Sequence, residues 1–146
     1  MLNHRLLDPE IQAYLHAHKE DDPAQFALKK SPFEGVTSGE LAQQLLGRQK
    51  AKDKLPLWQA TEGIYFPEKL SLEQASSEAT ARYKASLVGE GTLLDATGGF
   101  GVDDYFFAQH CQKVTHCELQ EALSEIVAHN FAVLEAHIHC VAEDSY

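Results

Sequence analysis

The stretch Leu93-Leu94-Asp95-Ala96-Thr97-Gly98-Gly99-Phe100-Gly101-Val102-Asp103 constrains this chain more than any other. A short apolar run from Thr92 to Leu94 ends in an aspartate, passes through a turn holding three glycines, and opens into a helix predicted from about Asp103 to Cys111. The pattern then repeats. Lys113 to Glu118 reads as a second strand, Gln120 to about Leu134 as a second helix, and Ile138 to Val141 as a third strand. Five alternating elements between Gly91 and Tyr146 call for a parallel sheet with right-handed crossovers. The predicted class is α/β: the first three strands of a parallel sheet, preceded by a helical amino-terminal region.

That region reads as short helices. Asp8-Pro9 starts one that carries Ile11, Tyr14 and Leu15 to about His18, and Asp22-Pro23 starts a second that stops at Ser31-Pro32. Thr37 and Glu40 form a capping box ahead of a third, with Leu41, Leu45 and Leu46 on its buried side. Residues 47–58 read as a polar break and a boundary. Trp58, Ile64, Tyr65 and Phe66 are expected to pack the front piece onto the next unit of the chain. Ser71 and Gln74 form another capping box, opening one helix that reaches Leu87; its other side carries Ser76, Ser77, Thr80 and Lys84, facing either solvent or a site. The predicted division is a helical region over 1–55, a connecting segment and lead-in helix over 56–90, and a sheet-bearing region over 91–146.

Charge narrows the function classes. The formal net charge is −10, yet residues 1–55 balance at eight basic and eight acidic side chains, so the excess lies in 56–146, with four and fourteen. Phosphate neutralisation needs a basic face. Arg48, Lys50, Lys52 and Lys54 are the one candidate, and their spacing scatters them around a helix, which favours a solvated linker. No apolar run is long enough to span a membrane, and the start MLNHRLLDPEIQ turns polar too early for a secretory signal, so a cytoplasmic protein is expected. Cys111, Cys117 and Cys140 are odd in number and fit reduced thiols. With His116 and His139 they show no CxxC or HExxH spacing, so structural roles are expected, with no metal.

Gly98, Gly99 and Gly101 lie where a Rossmann-like unit places the glycines that let backbone approach a cofactor. Glu118 ends the second strand 20 positions after Gly98, where an acid accepts hydrogen bonds from ribose hydroxyls. Asp95, immediately before the turn, has the wrong sign for a pyrophosphate, and Asp104 takes the place of the third fingerprint glycine. No GxxxxGK[ST] phosphate loop occurs. A cofactor with a cationic amino-acid end is attracted instead, and S-adenosylmethionine carries an ammonium and a sulfonium.

LLDATGGFGVD, followed by VTHCELQ and a helix containing HNFAVL, resembles motif I and the post-I acidic position of class I S-adenosylmethionine-dependent methyltransferases over residues 91–144, about the first half of that fold. Together with the preceding EQASSEATARYKASL, it resembles a bacterial group of predicted RNA methyltransferases with a THUMP-like domain, related to the cap and ribosomal guanine-N2 methyltransferases. The resemblance implies that Asp95 holds the ammonium group and that backbone at Ala96, Thr97, Gly98, Gly99 and Gly101 wraps the cofactor. It implies Glu118 on the ribose hydroxyls, Leu119 against the adenine and Asp144 at the adenine amino group. Asp103 is expected as a helix N-cap more than as a cofactor-side group.

In that class the Asp/Asn-Pro-Pro motif that orients the target amine ends the fourth strand, and this chain stops at Tyr146 before one begins. The expectation is therefore the cofactor half of the enzyme, inactive alone, with an open edge on the first strand, no assigned catalytic residue and an RNA substrate met through chain not present. Two rivals are a non-catalytic RNA or protein adaptor built on a Rossmann-like half-sheet, and a nicotinamide-dependent oxidoreductase, against which Asp95 and Asp104 argue.

Overall fold

The computed structural model describes residues 2–142. A 3₁₀ turn, His4–Leu7, leads into α1 (Pro9–Ala17), α2 (Pro23–Leu28) and α3 (Ser38–Lys54). Proline occupies the first turn of α1 and α2, where its missing N–H costs nothing. Asp22 caps α2 by accepting from the Ala24 N–H, and the Thr37/Glu40 box closes in both directions. Asp8 makes no side-chain cap on α1; its carboxylate pairs with Arg5 at 2.5 Å instead.

Helix α3 runs straight through residues 47–54, where the sequence predicts a polar break. Gly47, Ala51 and Leu55, one turn apart, are buried and supply a narrow apolar stripe. A Cβ at Gly47 would strike the Phe66 side chain, so glycine is what lets the two come together. The polar side chains beside that stripe are bound: Arg48 Nη1 donates to the Gln59 carbonyl at 2.6 Å with its guanidinium over the Phe66 ring, and Lys54 Nζ donates to the Leu72 and Glu73 carbonyls. A short α4 (Pro56–Ala60) follows directly.

The lead-in is two helices, α5 (Lys69–Gln74) and α6 (Glu78–Ser86), and not one. Ser71 lies inside α5 without capping it, whereas Ser77 accepts from the Thr80 N–H and starts α6 anew. Between α4 and α5 the extended residues Tyr65 and Phe66 have no strand partner; buried side-chain amides serve them instead. Gln44 both donates to and accepts from the Phe66 backbone at 2.9 Å, and Asn130 does the same for Tyr65 at 2.8 and 2.9 Å.

The rest is β1 (Thr92–Asp95), α7 (Val102–Phe107), β2 (Lys113–Cys117), α8 (Glu121–Val133) and β3 (His139–Val141), a parallel sheet in the order β1-β2-β3 preceded by the helical region. Helix α7 ends earlier than predicted, at Phe107 rather than Cys111. The register sets Asp95, His116 and Cys140 side by side, as it does Leu93 and Val114. On the opposite face Thr92, Leu94 and His139 are exposed, Leu94 by 57%. Among the described residues β1 pairs only with β2.

Two apolar clusters hold the fold. One gathers Leu2, Leu6, Ile11, Leu15, Phe26, Leu41, Leu45 and Tyr65 within the front piece; the other joins Trp58, Ile64, Phe66 and Leu72 to Val102, Phe106, Val127 and Phe131. Trp58, Ile64 and Phe66 thus pack the front onto the sheet-bearing part, while Tyr65 turns back into the front cluster. No helix among the described residues is long and apolar enough to cross a membrane.

Candidate functional site

The three glycines after β1 are required for three different reasons. The Gly98 N–H donates to the Cys117 carbonyl at 2.8 Å, pulling the loop onto the end of β2 so tightly that a Cβ would enter the His116 ring. Gly101 sits at φ +85°, and a Cβ there would lie 2.6 Å from Phe131 Cζ and 2.9 Å from Val127 Cγ1. Gly99, at φ +55°, has nothing within 4 Å of its added Cβ. Gly98 and Gly101 therefore make room for the protein's own α8 and β2, and Gly99 is the glycine that faces open space.

Two side chains from the end of β2 clamp Gly99. Its N–H donates to Glu118 Oε1 at 3.1 Å, and its carbonyl accepts from His116 Nε2 at 2.9 Å. A carbonyl only accepts, so His116 carries its proton on Nε2, and the fully buried Nδ1 has no partner. Glu118 Oε2 accepts from the Gln120 N–H at 2.8 Å. Each carboxylate oxygen keeps a further lone-pair direction. The HNF triplet of α8 links this clamp to the front piece: His129 Nε2 bonds the Gly63 carbonyl at 2.7 Å, Asn130 holds Tyr65, and Phe131 lies edge-on to His116.

A cleft of about 300 Å³ opens over the loop. Thr97, Gly98, Gly99, Gly101 and Glu118 line it, together with Gln120 and Asp103. Asp95, half-buried at the end of β1, accepts the Thr97 N–H at 3.2 Å and does not line the cleft; neither do Ala96 and Leu119, the latter 69% exposed. Asp144 lies outside the described residues. Asp103 is not the N-cap of α7, a place Gly101 takes; it stands in the first turn with Oδ2 3.1 Å from Lys84 Nζ.

The opposite wall comes from the lead-in: Ser71, Gln74, Ala75, Ser76 and Lys84. Lys84 also donates to Ser76 Oγ at 3.0 Å. The break between α5 and α6 is what turns Ser76 inward, so the polar stripe left open between solvent and site belongs in part to the site. Its sequence signal is the Ser77–Thr80 start lying within an apparently continuous periodicity.

The electrostatics are unusual at one point. Asp104 is fully buried, and the side chain that bears on its carboxyl is that of Asp95, through a hydrogen bond and through charge. Burial, with Asp95 and then Asp103 adding to it, pushes its carboxyl up to about 10. Burial and Asp104 together raise the Cys140 thiol to about 11, which makes it a poor nucleophile. Among the described residues no group of three or more His, Cys, Asp or Glu side chains is placed to hold a metal ion.

No protein-family model matches the sequence, and no curated protein does. Among solved structures, a crystal structure of a "putative methyltransferase" from Porphyromonas gingivalis W83 shares this fold at a TM-score of 0.79 and 23% sequence identity, over 97% of this chain and 35% of that one. The chain therefore spans about a third of that protein's length, and the likeness is one of fold.

Proposed function

We propose that this chain carries the S-adenosylmethionine-binding part of a class I methyltransferase acting on RNA, with the guanine N2 amine as its acceptor. The observation that carries the cofactor reading is the cleft over the glycine loop, with the Glu118 carboxylate at its edge and the one lysine of its lining, Lys84, paired with Asp103 in the first turn of α7. The RNA substrate, the guanine-N2 acceptor and the THUMP-like kinship rest on the resemblance of LLDATGGFGVD and EQASSEATARYKASL.

The residues fit such a ligand. Glu118 has lone pairs left for a ribose diol after serving Gly99 and Gln120. Gly99 leaves the loop surface open, and a volume of about 300 Å³ is at the lower end of ligand clefts. Asp95 would take the ammonium group, backbone from Ala96 to Gly99 and at Gly101 would line the cofactor, Leu119 would offer an apolar surface to the adenine, and Asp144 would meet its amino group. When bound, S-adenosylmethionine supplies a sulfonium methyl for attack by a nucleophilic nitrogen. The part of this chain is to bind and orient, through a loop whose shape is fixed in advance by His116 and Glu118.

Calorimetric titration with S-adenosylmethionine, S-adenosylhomocysteine and NADH tests this. Heat of binding with the first two and none with NADH is the expected result. Binding of NADH alone would overturn the reading in favour of a dinucleotide site; binding of RNA with neither cofactor would favour the adaptor.

A further inference from the structure

Among the described residues Asp104 is a fully buried acid with no cation beside it, and the side chain that bears on it most is that of Asp95, as charge and as hydrogen-bonding partner. Helix α7 lies on the face of the sheet that carries Asp95, His116 and Cys140 in one cross-strand row, and Asp104 acts on the two outer members of that row. The cations of α6, the helix packed against α7, are committed elsewhere. Lys84 is held by Asp103 and Ser76, and Arg82 lies over the Phe106 ring and pairs with Glu78. From β1 Asp104 meets Asp95, from β3 the Cys140 thiol and on its own helix Asp103, while on β2 His116 stands in the row between Asp95 and Cys140 with Nε2 already given to Gly99. A buried carboxylate in such surroundings is too costly to keep charged, so Asp104 holds its proton. A held proton needs an acceptor.

The acceptors on the row are His116 Nδ1 and the Asp95 carboxylate. A hydrogen bond to a charged oxygen is the stronger, and Asp95 has one oxygen already tied to the Thr97 N–H. We propose that Asp104 is a positioning residue that donates its carboxylic O–H to Asp95 and holds that carboxylate at the mouth of β1 for the ammonium group of the ligand. This deepens the cofactor reading above and rests on it. The pair then presents one negative charge rather than two, matched to a single ammonium, and Asp95 is oriented before any ligand arrives.

The test compares the intact protein with Asp104→Asn, which keeps a donor of the same size, and Asp104→Ala, which keeps none, each checked for folding by circular dichroism. With S-adenosylhomocysteine as titrant, Asp104→Asn should bind within about threefold of the parent and Asp104→Ala about tenfold or more weaker, the scale of one hydrogen bond to a charged group. Carbon-13 carboxyl NMR of the unliganded parent should show Asp104 still protonated at neutral pH. Equal affinities for parent and Asp104→Ala, equal loss in both variants, or an Asp104 signal that titrates in the ordinary carboxylate range would each overturn the proposal. If the parent takes up no S-adenosylhomocysteine, the cofactor reading falls and the proposal with it. Binding by the parent that ignores Asp104 removes the proposal alone.

Discussion

Glu40 and Asp104 occupy the same place, the third residue of a helix, and behave in opposite ways. Glu40, on α3 in the front piece, accepts from the Thr37 N–H at 3.0 Å and from Asn3 Nδ2 at 2.8 Å, and these bonds hold its carboxyl below the ordinary value. Asp104, on α7 beside the glycine loop, has no N–H donor and only the Asp95 side chain beside it, and burial first, then Asp95, drives its carboxyl up to about 10. A helix N-terminus favours negative charge in both places; at Asp104 desolvation outweighs it. The contrast extends to the regions around them. Among the described residues the buried side-chain polar atoms without a partner belong to Asp103, Asp104 and His116 around the loop, and to Trp58 at the junction. Among the described residues the buried side-chain polar atoms of the front piece are all partnered, and those around the loop are not.

The largest effect should come from Gly101→Val, which places a β-branched side chain at φ +85° against Phe131 and Val127. Left-handed strain and overpacking together should cost about 4 kcal/mol in urea unfolding. A loss under about 1 kcal/mol would show the loop to be far softer than its packing. Leu41→Ala, in the fully closed front cluster, should cost about 3 kcal/mol while leaving the cofactor affinity of the folded protein unchanged. A matching loss of affinity would dissolve the distinction between the two regions.

The pH dependence of stability should separate them by sign. Asp104 moves from 3.8 to about 10, so the folded state holds a proton that the unfolded state releases. Its contribution is most favourable below about 4 and declines as pH rises towards about 10, with a slope of up to about 1.4 kcal/mol per pH unit. Asp104→Asn should flatten that slope in thermal unfolding across pH 5 to 9. Glu40 is lowered from 4.5, so its contribution is present above that value and lost on acidification through its folded value; Glu40→Gln should change only the acid limb. A neutral-range slope that survives Asp104→Asn would assign it to another group. The smallest effect belongs to Leu94→Ser on the open face of the sheet, about 0.5 kcal/mol or less.

The parts legible in the sequence are those with a local cause. The glycine turn, the alternating strands and helices and the Thr37/Glu40 box depend on residues close in the chain, and all three stand where their local pattern puts them. The misreadings come from partners far along it. Residues 47–54 look like a linker because Arg48 and Lys54 are charged, and no local pattern shows that their heads end on the carbonyls of Gln59, Leu72 and Glu73. The break at 75–77 is hidden because apolar spacing continues across it. At the site, the glycines read as space for a cofactor, whereas two of the three are space for His116, Phe131 and Val127. Asp104 reads as a missing glycine that spoils a phosphate site; its burial against Asp95 depends on how α7 crosses the sheet.

The proposed cofactor site lies at the loop of the sheet-bearing region and not in the front piece. Backbone amide NMR of the chain during titration with S-adenosylhomocysteine tests it most directly. Shifts should gather at Thr97, Gly98, Gly99, Gly101, Glu118 and Gln120, with Ser76 and Lys84 responding across the cleft, and none should occur at Thr37, Glu40 or Leu41. Saturation without movement at the glycine amides, or shifts centred on the front piece, would contradict it.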